Sequence, residues 1–131
     1  AMVFLVFPLH KGYAKEVLQG FTKFCVENVI KFNVLSSVED SFIIKKGLYI
    51  VIDDEDLVRI IQISNQKNIK ISKHIGIISY NDTALKEILV GGVSVLSTDF
   101  KKMGKEIAKM VLNKEISVKK NEFYLKRRST F

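Results

Sequence analysis

The chain is short of the residues that cross-link or interrupt a fold. It has one cysteine, Cys25, and one proline, Pro8. A single thiol excludes a disulfide framework and any multi-cysteine metal cluster. No apolar run reaches the roughly 18–20 residues that span a bilayer, so no membrane partner is expected. The longest N-terminal run, residues 2–7 (MVFLVF), lacks a basic n-region and reads as a strand, not a signal peptide. A lone thiol with no export signal leads us to expect a reducing, cytoplasmic setting. Arginine is scarce too: only Arg59, Arg127 and Arg128 among 21 basic residues. Nucleic-acid readers concentrate Arg and Lys on one stripe. Here the lysines are spread over every segment, so the formal charge of +7 reads as a solvated surface.

Enzyme signatures are also missing. There is no GxGxxG, no GxxxxGK[ST] and no GxSxG, so neither phosphate cradling nor a nucleophile elbow has sequence support. His10 and His74 stand far apart, without the ligand spacing of a zinc site. His74 precedes a strand, at its amino end, and reads as a surface or partly buried residue. Cys25 falls on an apolar helix face and reads as core packing. No catalytic residue, metal or cofactor is expected.

What is present is globular: 131 residues, 47% hydrophobic and 27% charged, the length of one domain. Residues 3–7 form a continuous apolar run, the mark of a strand buried on both faces, and 31–35, 48–52, 75–79 and 93–96 read as further strands. Between them run helical periods at 12–28, 57–65 and 83–89, the last stopped by Gly91-Gly92. A further helix at 99–112 points Phe100, Met103, Ile107, Met110 and Val111 inward, and 123–126 is an edge strand. Residues 36–47 are the least regular and read as a loop or one helical turn. The order β-α-β-β-α-β-α-β-α-β predicts an α/β fold: a three-layer, mostly parallel sheet with helices on both faces.

Ligands of open α/β sheets bind outside the carboxyl ends of the strands. Those ends are polar here: His10-Lys11 after the first strand, Ser36-Ser37 after the second, Asp53-Asp54-Glu55 after the third. Tyr80-Asn81-Asp82-Thr83 and Ser97-Thr98-Asp99 follow the fourth and fifth. Such residues either cap the next helix or meet a ligand, and the pattern leaves both open. A receiver-type phosphoacceptor needs a carboxylate pair after the first strand; Phe7-Pro8-Leu9 stands there. A flavodoxin-like enzyme or phosphotransfer domain would instead need Asp53, Asp54 and Asp82 to converge on a metal. A stand-alone small-molecule binding module is the third possibility. In 57–63, five of seven residues are apolar, more than one core-facing stripe requires. A homodimer face is therefore expected at Leu57, Val58 and Ile61 with Leu85, Ile88 and Leu89.

Four segments carry a family resemblance. IGIISYNDTALKEIL (75–89), VSVLSTDFKKMGKEIAKMVLNKE (93–115), FYLKRRST (123–130) and, upstream, IVIDDEDL (50–57) follow the motif order of lactose-repressor (LacI/GalR) type effector domains. FPLHKGYAKEVLQGF (7–21) is similar to the family's first turn and helix. More narrowly, YIVIDDEDL, GIISYNDT and STDFKKMG resemble regulators that join a GntR-type winged helix to this sensor. The resemblance implies that 1–131 is a single effector-binding lobe, of a periplasmic-binding-protein-like type I fold. The other lobe and the DNA-binding domain would lie outside it. It further implies a small polar, sugar-like effector, and DNA reached only through the absent domain. By position it carries ligand contact to His10, Lys11, Tyr13, Asp53, Glu55 and Asn81, with Tyr13 or Tyr80 as a platform for a ring. Val17 departs from the pattern, since the family commonly has an effector-binding Arg there.

Overall fold

The computed structural model describes residues 2–39, 41 and 43–131. Six strands form one sheet: β1 (Met2–Val6), β2 (Phe32–Leu35), β3 (Gly47–Val51), β4 (Gly76–Tyr80), β5 (Ser94–Thr98) and β6 (Phe123–Lys126). Their order is β2-β1-β3-β4-β5-β6. The first five run parallel, and β6 lies antiparallel to β5 at the edge. The helices are α1 (Lys15–Glu27), α2 (Asp54–Gln66), α3 (Ala84–Ile88) and α4 (Phe100–Leu112). Every element expected from the sequence is present, with boundaries moved by up to three residues. The described residues between β2 and β3 form an irregular connection; Asp40 and Phe42 lie outside the described residues.

Side chains alternate across the sheet, and each face collects its own core. Phe4, Val6, Tyr49, Val51 and Ile77 face α2, which adds Leu57, Ile60, Ile61 and Ile63. Tyr49 is fully buried; its ring stacks on Phe4 at 4.8 Å, and its hydroxyl accepts the Ile44 N–H. On the opposite face Leu5, Phe7 and Ile52 meet Tyr13, Val17, Leu18 and Phe21 from the α1 side. Cys25 is buried, as its position on the apolar face of α1 implies. His74 is partly buried; its backbone carbonyl accepts the Lys46 N–H and its Nδ1 the Lys70 N–H.

Two expectations are corrected. Leu57 and Ile61 are core residues at 2% and 8% exposure, so the wide apolar face of α2 is mostly used by its own sheet. They leave the dimer face; Val58, Leu85 and Ile88 are exposed, and Leu89 packs against the core. The inward face expected for α4 is not covered. Phe100, Ile107 and Val111 are 51%, 54% and 72% exposed, and no residue of α4 is buried. Periodicity shows that a helix has an apolar stripe; it does not supply the surface that covers it.

The chain's last residues brace the sheet. The Thr130 hydroxyl, fully buried, donates to the Ile77 carbonyl and accepts the Ser94 N–H, bridging β4 and β5. Arg128 lies over Gly92, where a φ of +106° would strain any side chain and an added Cβ would meet the Glu87 carbonyl at 3.2 Å.

Candidate functional site

The carboxyl ends of β1, β3 and β4 open on a cavity of about 320 Å³. Asp53 stands at its centre. It caps α2, and its Oδ1 accepts the Glu55 N–H at 2.8 Å, which explains why the helix starts here. Asp54, Glu55 and Asp56 fill the first turn, where carboxylates offset the positive end of the helix dipole. The Tyr13 hydroxyl donates to Asp53 Oδ2 at 2.7 Å. Lys11, at the end of a short 3-10 turn (Leu9–Lys11), bridges two carboxylates. Its ammonium lies 3.1 Å from Asp53 Oδ1 and 2.5 Å from Glu55 Oε2.

These contacts set the charges. Burial alone would push the Asp53 carboxyl up, but the bonds from Tyr13, the Glu55 N–H and Lys11 together hold it below the usual carboxylate range. The same bond to Asp53, aided by burial, pushes the Tyr13 phenol up to about 12. Hydrogen bonds to Glu55 and Asp53 raise the Lys11 ammonium above its ordinary value. Asp53 is thus ionised and acceptor-only at neutral pH, while Tyr13 and Lys11 are donors.

The fourth strand brings Asn81 to the cavity in a left-handed conformation, φ 63°. One residue that sequence reasoning missed holds this turn. Lys86, 3% exposed, donates to the Tyr80 and Asn81 carbonyls at 3.0 and 2.8 Å and pairs with Asp54 at 2.7 Å. It ties the turn after β4 to the start of α2. Its signal was faint: a lysine in a five-residue helix reads as surface.

Asp82 points elsewhere. Arg128 grips it with both terminal nitrogens, at 2.9 and 2.7 Å, and donates to the Val93 carbonyl. Asp82 therefore does not join Asp53 and Asp54, and no metal-holding group of three His, Cys, Asp or Glu forms among the described residues. Of the six expected ligand-contact residues, Lys11, Tyr13, Asp53, Glu55 and Asn81 line the one cavity. His10 is exposed and lies outside its lining. Tyr80 lines the cavity beside Tyr13; Ser36 and Ser37 do not.

The Arg128 grip holds Asp82 well below its ordinary value, with burial acting against it. Such a group contributes stability that is present above the unfolded carboxyl value and lost as pH falls through the folded one. Asp53 acts in the same direction, whereas Asp56, raised mainly by burial, acts in the opposite one. The chain should therefore lose stability below about pH 4. Urea unfolding across that range should show a shallower acid dependence for Asp82→Asn than for the native chain. Identical slopes would remove Asp82 from the account.

The family described as a periplasmic binding protein-like domain matches residues 2–126. The chain belongs to that family. Its fold recurs in the lac repressor bound to ONPG, with a TM-score of 0.72 at 17% identity over 99% of this chain and 45% of the repressor. It recurs in a LacI family transcriptional regulator from Bifidobacterium animalis subsp. lactis, with a TM-score of 0.77 at 14% identity, covering 98% and 54%. A periplasmic binding protein/LacI transcriptional regulator from Alkaliphilus metalliredigens, solved with D-xylulofuranose, gives 0.70 at 13% identity, covering 98% and 56%. The periplasmic-binding-protein-like chain spans about half the length of these structures. No curated protein sequence matches it. No helix among the described residues is long and apolar enough to cross a membrane.

Proposed function

We propose that this chain is one effector-binding lobe of a transcriptional regulator, working without covalent chemistry. The observation that carries the reading is the convergence of Lys11, Tyr13, Asp53, Glu55 and Asn81 on one rim cavity. The fold is that of repressors about twice as long. A small polar effector, sugar-like in its hydroxyl groups, would bridge this rim and a second lobe outside the chain. By favouring one orientation of the two lobes it would bias the DNA-binding part, a winged helix of the GntR type on the narrower resemblance. Arg128 and Lys86 are positioning residues here, since they hold the turn that presents Asn81.

Two exposed faces fit this assembly. The uncovered stripe of α4 is where the second lobe would rest. Val58, Leu85 and Ile88, 46%, 62% and 75% exposed, would meet a second copy in a cytoplasmic homodimer. A dimeric lac repressor shares this fold.

The test uses the gene product in which this segment sits together with its upstream sequence. We expect a DNA-binding segment upstream and specific DNA retention that a small polar metabolite changes. Asp53→Ala should abolish that response, by more than about tenfold in effector affinity, with DNA affinity in its absence unchanged. A product without a DNA-binding segment, or an unaltered response in Asp53→Ala, would end this reading. The isolated chain should show no sequence-specific DNA shift.

A further inference from the structure

The charges at the rim say more about the effector than its polarity. The cavity lining holds three carboxylates, Asp53, Asp54 and Glu55, against two ammonium groups, Lys11 and Lys86. Both ammonium groups are committed. Lys86 is buried between Asp54 and two carbonyls, and Lys11 bridges Asp53 and Glu55. Val17 stands where the resemblance expects an arginine. An incoming anion therefore finds no free cation, and the positive end of α2 is already met by Asp53 and the acidic first turn.

A cation finds a place already shaped for it. Asp53 Oδ1 and Glu55 Oε2 are spaced to accept one ammonium nitrogen, because the Lys11 nitrogen sits between them. Two features make that nitrogen displaceable. The Lys11 side chain is 30% exposed, and it springs from a short turn, not from a helix. Among the described residues, Asp53 Oδ2 accepts only the Tyr13 hydroxyl, which leaves room for one more donor. The rings of Tyr13 and Tyr80 line the same cavity, and aromatic faces attract cations.

We propose that the effector carries an ammonium group, which replaces the Lys11 ammonium between Asp53 and Glu55. Lys11 is then an internal stand-in that the ligand must evict. This rests on the effector-lobe reading and narrows the ligand to a polyol-like amine, such as an amino sugar.

Three probes of one ring shape separate the alternatives: protonated glucosamine, glucose and glucuronate. Each is titrated into the isotope-labelled 131-residue chain, with the backbone amides of Glu55 and Asn81 followed by NMR. Glucosamine should shift both signals with at least about tenfold higher affinity than the other two, as expected for a charge-assisted pair. In Lys11→Met the competitor is gone, and glucosamine should bind about tenfold tighter. A residue that contacted ligand directly would give the opposite sign. Glucose binding as well as glucosamine, glucuronate binding best, or weaker binding in Lys11→Met would each overturn the ammonium assignment and leave the effector lobe standing. Rim signals that none of the probes moves would overturn it as well, and the full-length DNA experiment then decides the lobe.

Discussion

Replacing Arg128 by methionine is expected to cost about 3–5 kcal/mol, because it leaves a partly buried carboxylate without its partner. The Arg128 and Asp82 side chains are only 11% and 16% exposed, and the pair is bidentate. Removing the guanidinium also strips the Val93 carbonyl of a donor. Exposed ion pairs in this chain, such as Lys102–Glu122, are worth far less, since water competes for both ends. The loss should appear in urea unfolding and as a fall in Tm on the order of 10–20 °C. Arg128→Lys keeps the charge but not the fork, and should fall between the two. The double variant Arg128→Met with Asp82→Asn should recover part of the loss, because the stranded charge is gone. A loss under about 1 kcal/mol for Arg128→Met would mean that water replaces the guanidinium without penalty.

This prediction also shows where a sequence stops being legible. Element type and order could be read because apolar strands with both faces buried alternate with amphipathic helices, and a parallel sheet is the arrangement that buries both. The rim could be read because caps and ligands draw on the same residues at the same strand ends. Asp53 serves as cap and cavity wall at once. Lys86 and Arg128 could not be read. Each acts across a turn that only the folded chain closes, 6 residues from Tyr80 for one and 46 from Asp82 for the other. Neither the lysine nor the arginine carries a mark of burial in the sequence. Leu57 and Ile61 failed for a related reason. An excess of apolar residues on α2 announced two contacts, but a helix over the middle of a sheet can spend that excess on its own core.

If the proposed second lobe rests on α4, that helix should show the largest difference between this chain and a two-lobed form. In the chain alone Ile107 is 54% exposed, and Ile107→Ala should change stability by less than about 0.5 kcal/mol. In the two-lobed protein the same substitution should cost about 2–5 kcal/mol, the range for a buried isoleucine cut back to alanine. Exposed Phe100, Ile107 and Val111 beside half-buried Met103 and Met110 form an apolar stripe of the kind that marks an interaction surface. The neighbouring folds have about as much chain again with which to cover it. Leu85→Ala, at an exposed position of α3, is the control: it should alter association between copies and leave the unfolding energy of one chain alone. Paired urea titrations of short and long forms measure the difference directly. Equal, small effects of Ile107→Ala in both forms would show that the second lobe rests elsewhere. The lobe contact would then have to be sought on the rim itself, where an effector held at Asp53 and Glu55 would be its principal bridge.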